Sequence, residues 1–335
     1  MMLLLMLIAL QEPTVASPEQ DPYLTDLEQR YTRIQKAAAK SIVAIHSKRG
    51  VEPRKRTPRI MQGLLGSDIF GKRPASPVTG VVVDAEGWVL TTYFNISGVI
   101  EELWVVLPDG QKRTAELKGY DAITDLAILK IEAGGLEPLA APKLDKTVVG
   151  AGVVAVGIGP SGSGLTLNPG IVSALDRVLG WGIQHDARLN YGNVGGPLFD
   201  LDGKLVGLTT GVSIEKADTT GQNSGVGEAL TWSKVAESIP YLKSGGRNKG
   251  AYLGIQGGDR EEGGINVQSV QEGTAAEKFG ILDKDIILEF DGKKVNTMEE
   301  LRALIMRRRI GDKLKVLVER GGEQKELQIE LGERP

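Results

Sequence analysis

The chemistry open to this chain is bounded first by two residue counts. Its 335 residues include no cysteine and only two histidines, His46 and His185. Without thiols there is no disulfide, no thiolate nucleophile and no cysteine-based zinc site. Two histidines are too few for a histidine-rich metal site, and neither a metal nor a cofactor is expected. Any mechanism in which an imidazole takes a proton from a hydroxyl has just two places to find that imidazole. The Gly- and Ser-bearing stretch Pro160 to Leu165, with Ser161 and Ser163, lacks the lysine pattern of a phosphate-cradling loop and reads as a flexible connection. Six basic residues (Lys48, Arg49, Arg54, Lys55, Arg56 and Arg59) lie close together and read as a solvated loop, with an anionic partner as the alternative. A net charge of −3 gives no general attraction to nucleic acid or to an anionic membrane, and no nucleic acid is expected as a partner.

The elements that must position any site follow from periodicity and turn chemistry. Met1 to Leu10 is almost wholly apolar, too short to span a bilayer, and is followed by Val15-Ala16-Ser17. Residues 1–17 therefore read as a signal peptide or an N-terminal membrane anchor. Within 18–40, Leu24, Leu27, Tyr31, Ile34 and Ala38 recur at helical spacing, with Asp21 as N-cap and Pro22 at the first helical position. Ser41 to His46 reads as a first strand, and 47–76 as a long basic, Gly- and Pro-containing loop. From Gly80 short strands alternate with turns: a hairpin over Val81 to Thr92 turning at Asp84–Gly87, a second over Glu102 to Tyr120, then Asp125 to Ile131. A second series runs from Gly152 to Leu230 and ends in a helix from Trp232 to Leu242. This spacing predicts a mainly β fold with closed antiparallel barrels over 41–243. Ser244 to Gly250 reads as a linker, and 251–335 as a separate α+β domain.

Particular stretches resemble the trypsin-like HtrA/Deg family of exported serine endopeptidases, whose barrels are followed by PDZ domains. Gly87 to Thr92 resembles the strand that delivers the catalytic histidine. Asp121 to Ile131 resembles the strand bearing the catalytic aspartate, and Gly170 to Leu175 with Ile183 to Leu198 the approach to the nucleophile. The resemblance implies a trypsin-like double β-barrel followed by a C-terminal PDZ domain. It also exposes what is missing. The family's Gly-Asn-Ser-Gly-Gly-Pro is here Gly192-Asn193-Val194-Gly195-Gly196-Pro197, and Phe94 stands at the histidine position. Valine has no hydroxyl to attack a carbonyl and phenylalanine cannot relay a proton. Asp125 is the one triad position retained, and without an imidazole to orient it is expected to accept backbone N–H bonds in the cleft. Gly192 and Asn193 belong to the former oxyanion loop. His185, where the family has threonine, reads as a surface or barrel-wall residue.

Two binding features remain. Leu205 to Gly211 resembles the strand that pairs with substrate in active relatives, so it reads either as a peptide-holding edge or as an ordinary barrel strand. Tyr252-Leu253-Gly254-Ile255 resembles the carboxylate-binding loop of a PDZ domain, where backbone N–H groups converge on a chain terminus. Leu301, Leu304 and Ile305 share a helical face that supplies pocket and core residues. The expected function is a non-catalytic homologue that binds peptides or protein C-termini as a scaffold, chaperone-like binder or regulator of active HtrA/Deg relatives. The resemblance further implies a bacterial periplasm or cell-envelope location and a homo-oligomer, trimeric or larger, to which exposed Leu64, Leu65, Ile69 and Phe70 would contribute. The alternative is an active serine endopeptidase with an unorthodox site.

Overall fold

A computed structural model describes residues 21–50, 77–140, 147–159, 162, 164–177, 179–190, 192–210 and 225–334. The expected leader, most of the 47–76 loop with its four apolar residues, and Ser161 and Ser163 lie outside the described residues.

Helix α1 (Pro22–Ala38) begins where the cap chemistry places it: the Asp21 carboxylate accepts the Tyr23 N–H at 2.9 Å. Its stripe ends in fully buried Ile34 and Ala38, which join the core shared with both barrels, while Tyr23 and Leu24 stay exposed. The first barrel is built from β1 (Ile42–Arg49), β2 (Val78–Val82), β3 (Trp88–Thr92), β4 (Ile100–Val106), β5 (Lys112–Asp121) and β6 (Leu126–Ile131). The order β5-β4-β1-β2-β3-β6 closes through a β5–β6 pairing. Helix α2 (Tyr93–Ile96) is one turn, capped by the Thr92 hydroxyl on the Asn95 N–H.

The second barrel uses β7 (Gly152–Ile158), β8 (Leu165–Arg177), β9 (Gly182–His185), β10 (Pro197–Asp200), β11 (Leu205–Thr209) and β12 (Gly227–Thr231), closed in the order β10-β11-β12-β9-β8-β7. This closure favours one of the two readings of Leu205 to Gly211, whose last residue lies outside the described residues. Strand β11 pairs with β10 on one side and β12 on the other, so Leu205–Thr209 offers no free edge to a peptide. Closing a barrel uses up every strand side, and that is what removes the edge.

Helix α3 (Trp232–Lys243) packs its buried Trp232, Val235 and Leu242 into the shared core. The stretch 244–250 then does more than connect. Its short strand β13 (Arg247–Asn248) lies parallel to Tyr120 and Asp121 of β5, and Asn248 is buried. Tyr241 is sandwiched between Gly246 and the Arg309 guanidinium, 4.2 Å from its ring. The last block comprises β14 (Ile255–Asp259), β15 (Ile265–Val270), α4 (Ala275–Lys278), β16 (Ile286–Phe290), β17 (Lys293–Lys294), α5 (Met298–Met306), β18 (Lys313–Arg320) and β19 (Glu323–Glu330). Its sheet order is β14-β15-β16-β18-β19, which leaves β14 at an edge beside α5. Thr297 and Glu300 form a reciprocal capping box at the start of α5, and the Asp259 carboxylate accepts the Met298 N–H at 2.7 Å.

Candidate cleft and peptide groove

The loop Gly192–Gly196 turns between the barrels because it must approach backbone closely. At Gly195, φ is +89°, and a side chain there would fall 2.7 Å from the Thr79 carbonyl oxygen and 2.6 Å from the Thr91 hydroxyl. Glycine alone meets both demands. Thr79 ties the loop to the first barrel: its N–H and its hydroxyl both donate to the Gly192 carbonyl, at 3.1 and 2.5 Å. Thr209 ties it to the second, its hydroxyl donating to the Asn193 and Gly196 carbonyls at 2.9 Å each.

At the centre of this loop Val194 is 0% exposed. Its carbonyl accepts the Asn95 side-chain N–H at 2.8 Å, and the same nitrogen reaches the Thr91 hydroxyl at 3.2 Å. Asn95 is itself buried, and its side-chain oxygen has no protein donor. Sequence reasoning missed Asn95; the signal available was a polar residue just after Phe94, in a stretch otherwise set to bury. The Gly192 N–H donates to the Asn190 side-chain oxygen at 2.7 Å, and the Asn193 N–H to the Asn190 carbonyl at 3.0 Å. The N–H groups of residues 192 and 194 are the pair that would hold an oxyanion in this kind of loop. Here Asn190 already occupies the first. The Val194 N–H makes no hydrogen bond among the described residues.

Asp125 opens β6 at φ +54°, a left-handed conformation that aspartate tolerates better than most residues. Its carboxylate accepts the Phe94 N–H at 2.7 Å and its carbonyl the Tyr93 N–H at 3.1 Å. It therefore holds the backbone at the start of α2. Phe94 is half-buried, and beside it Tyr93 stacks on Tyr120 with ring centroids 4.3 Å apart.

Neither histidine is drawn into this cleft. His46 on β1 stacks on Trp104 of β4, centroids 5.4 Å apart, and the Lys112 ammonium lies 4.0 Å from the centroid of that tryptophan. Burial and then the Lys112 charge push its pKa below the ordinary value. His185 is not on the surface but completely buried in the second barrel. Among the described residues no group of His, Cys, Asp and Glu is arranged to hold a metal ion.

Two family profiles match the chain in tandem: "Trypsin-like peptidase domain" over residues 78–208 and "PDZ domain" over residues 251–331. The chain joins one trypsin-like peptidase domain to one PDZ domain, with DegP and HtrA proteins as its homologues. A probable periplasmic serine endoprotease DegP-like of Hahella chejuensis is 33% identical over 77% of this chain and 57% of its own length. A probable periplasmic serine protease do/HhoA-like of Haemophilus influenzae is 32% identical over 76% of this chain and 57% of its own length. The chain thus spans a little over half the length of these curated relatives. Among solved structures, the serine endoprotease from Yersinia pestis superposes with a TM-score of 0.68 at 29% identity, over 91% of this chain and 98% of that one. The HtrA-type protease AlgW with a decapeptide gives 0.70 at 26% identity, over 91% and 99%.

The PDZ domain presents a differently organised loop. Tyr252 exchanges backbone bonds with Gly332, at 2.9 and 3.3 Å, and its hydroxyl donates to Gln271 at 2.8 Å. The Leu253 carbonyl accepts the Ala276 N–H at 2.7 Å and the Gly254 carbonyl the Gln271 N–H at 2.9 Å. Both carbonyls are thereby turned inward, while the N–H groups of Leu253 and Gly254 make no hydrogen bond among the described residues. Gly254 sits at φ +93°, where a side chain would meet the Thr274 hydroxyl oxygen at 2.0 Å. Of the face-sharing residues on α5, Leu301 is fully buried in the domain core, as is the Leu253 side chain, whereas Leu304, Ile305 and Ile255 lie half-buried at its edge. Met298 packs toward Gly257 of β14, its sulfur 3.3 Å from where a side chain there would begin.

Proposed function

We propose that this is a non-catalytic HtrA/Deg-like protein that binds peptides or protein C-termini through its PDZ domain, serving as a scaffold, chaperone-like binder or regulator of active relatives. One observation carries the reading: Val194, at the nucleophile position, has no hydroxyl and no exposed surface. A peptide carbonyl has no hydroxyl there to react with. In serine proteases, loss of the serine alone costs about a million-fold in turnover. The half-occupied oxyanion pair, with Gly192 held by Asn190, weakens what remains of transition-state stabilisation.

Peptide capture is supported by the free side of edge strand β14, the inward carbonyls of Leu253 and Gly254, and the half-buried Ile255, Leu304 and Ile305 beside them. An extended peptide adds to such an edge through main-chain bonds and needs no triad. The periplasmic relatives, with the apolar Met1–Leu10, favour export to the bacterial periplasm or envelope. No helix among the described residues is long and apolar enough to cross a membrane. The HtrA-type scaffold favours a homo-oligomer. A C-terminal peptide array probed with the full chain tests the binding half: a common C-terminal motif, lost on amidation of the peptides, is expected. Equal retention of amidated peptides contradicts capture of chain termini.

A further inference from the structure

The second barrel contains a titratable group that its proposed role leaves unused. His185, the last residue of β9, pairs with Val172 of β8 and Gly227 of β12 and is 0% exposed. Neither ring nitrogen has a protein hydrogen-bond partner. The ring lies against Gly227, where a side chain would come within 2.4 Å of its Cε1, 2.8 Å of its Nδ1 and 3.0 Å of its Nε2.

The surrounding charges do not compensate for a proton on that ring. On the chain beyond β9, Asp186 is exposed and gives its carboxylate to the Ile171 N–H at 2.6 Å, and Arg188 is exposed. On β8, Asp176 and Arg177 are exposed, the latter bonded to Gln184. On β12, Glu228 is half-buried and alternates away from Gly227 and Ala229, which are both buried. An imidazolium here would be a buried charge with no acceptor for either N–H.

We propose that His185 makes the second barrel an acid-sensitive element, in which protonation loosens the β8–β9–β12 corner while the PDZ domain is unaffected. Burial pushes the ring's pKa down to about 4, against a smaller upward pull from Asp186. The unfolded chain takes up the proton first, near the free-imidazole value of about 6.5. The barrel's stability is therefore complete above that pH and falls as the pH drops toward 4, by about tenfold in the folding constant per unit and roughly 300-fold across the window. Below about 4 the folded ring also protonates and this slope ends. The PDZ domain contains no histidine. The same stretch of chain runs on from His185 to the 192–196 loop, so the corner and the old cleft are expected to loosen together.

The composition makes the test clean. All four tryptophans lie outside the PDZ domain, Trp88 and Trp104 on the first barrel, Trp181 just before β9 and Trp232 at the start of α3 in the core shared by both barrels, so their fluorescence reports unfolding of the barrel unit and not of the PDZ domain. Urea unfolding of the full chain at pH 7.5, 6.5, 5.5 and 4.5 is expected to show the barrel midpoint falling steadily below 6.5. His185→Met should flatten that slope and His46→Gln should preserve most of it. Because His185→Met has the wild-type volume only approximately, the wild-type ring proton resonances supply an independent check. Of the two histidine signals, that of His46 is expected to shift with pH, while that of His185 stays fixed until the pH approaches about 4. A His185 signal titrating near 6.5 in the folded protein, or an undiminished slope in His185→Met, overturns the proposal.

Discussion

The loop at the cleft and the loop at the PDZ groove are both glycine-bearing turns, and they spend their backbone hydrogen bonds in opposite ways. Around Val194 the polar groups are turned on one another: Asn190 takes the Gly192 N–H, Thr79 and Thr209 take three carbonyls, and Asn95 takes the carbonyl of Val194. Around Gly254 the carbonyls are satisfied by α4 and the turn before it, and the N–H groups are left open. Since buried polar groups must find partners, the direction in which a loop's donors face says what it is prepared to receive. The first loop is closed by its own protein except at the Val194 N–H. The second is arranged for an acceptor that the chain does not supply.

The contrast can be broken from the side of the groove. Asp285 is buried and chelated by Arg320, both contacts at 2.7 Å, with the Leu282 N–H adding a third bond. Burial pushes the Asp285 carboxyl up, but Arg320 and the Leu282 N–H outweigh it and hold it below the usual carboxylate range. Arg320→Ala leaves that carboxylate buried and unpaired, so the PDZ domain should lose about 3–5 kcal/mol. Calorimetry should show a separate low-temperature PDZ transition with the tryptophan-reported barrel melt unmoved. A barrel melt that falls in step would mean that the two regions do not act separately. Because the Asp285 pKa is lowered, its share of stability is present above about pH 4 and is lost only as the pH falls below that, outside the His185 window.

Gly195→Ala attacks the cleft instead. The left-handed φ and the Thr79 carbonyl together should cost about 1–3 kcal/mol of barrel stability, read by tryptophan fluorescence, with peptide affinity unchanged. Gly254→Ala is the mirror experiment. Crowding by Thr274 should weaken C-terminal peptide binding by at least about tenfold, measured by fluorescence anisotropy, while the barrel midpoint stays put. If Gly254→Ala binds normally, the open N–H groups are not the receptor.

Much of this architecture was legible in the sequence because local rules and the global fold agree. Asp21-Pro22 and the Leu24–Ala38 spacing fixed α1, and Asp84–Gly87 fixed the first hairpin turn. The types at residues 94 and 194 are plain in the sequence, a phenylalanine and a valine, with no histidine between His46 and His185. What was not legible depends on closure and burial, which no local pattern records. Leu205–Thr209 looks like any strand, and only the pairing of both its sides shows that it is no edge. His185 is polar, yet its ring is sealed because Gly227, more than forty residues later, leaves space for it. Residues 244–250 have a linker's composition, and β13 forms because β5 has an unpaired stretch beside it. Asn190 and Asn95 were missed because their importance lies in what they bond across the loop.

The most direct test treats the full chain, at micromolar concentration and neutral pH, with a fluorophosphonate that phosphonylates activated serines with loss of fluoride, alongside unfolded casein as substrate. The expected result is no labelled protein and casein turnover equal to the buffer blank, with C-terminal peptides still bound. A stoichiometric covalent adduct on any residue of this chain, with casein fragments appearing in proportion to the protein added, would contradict it.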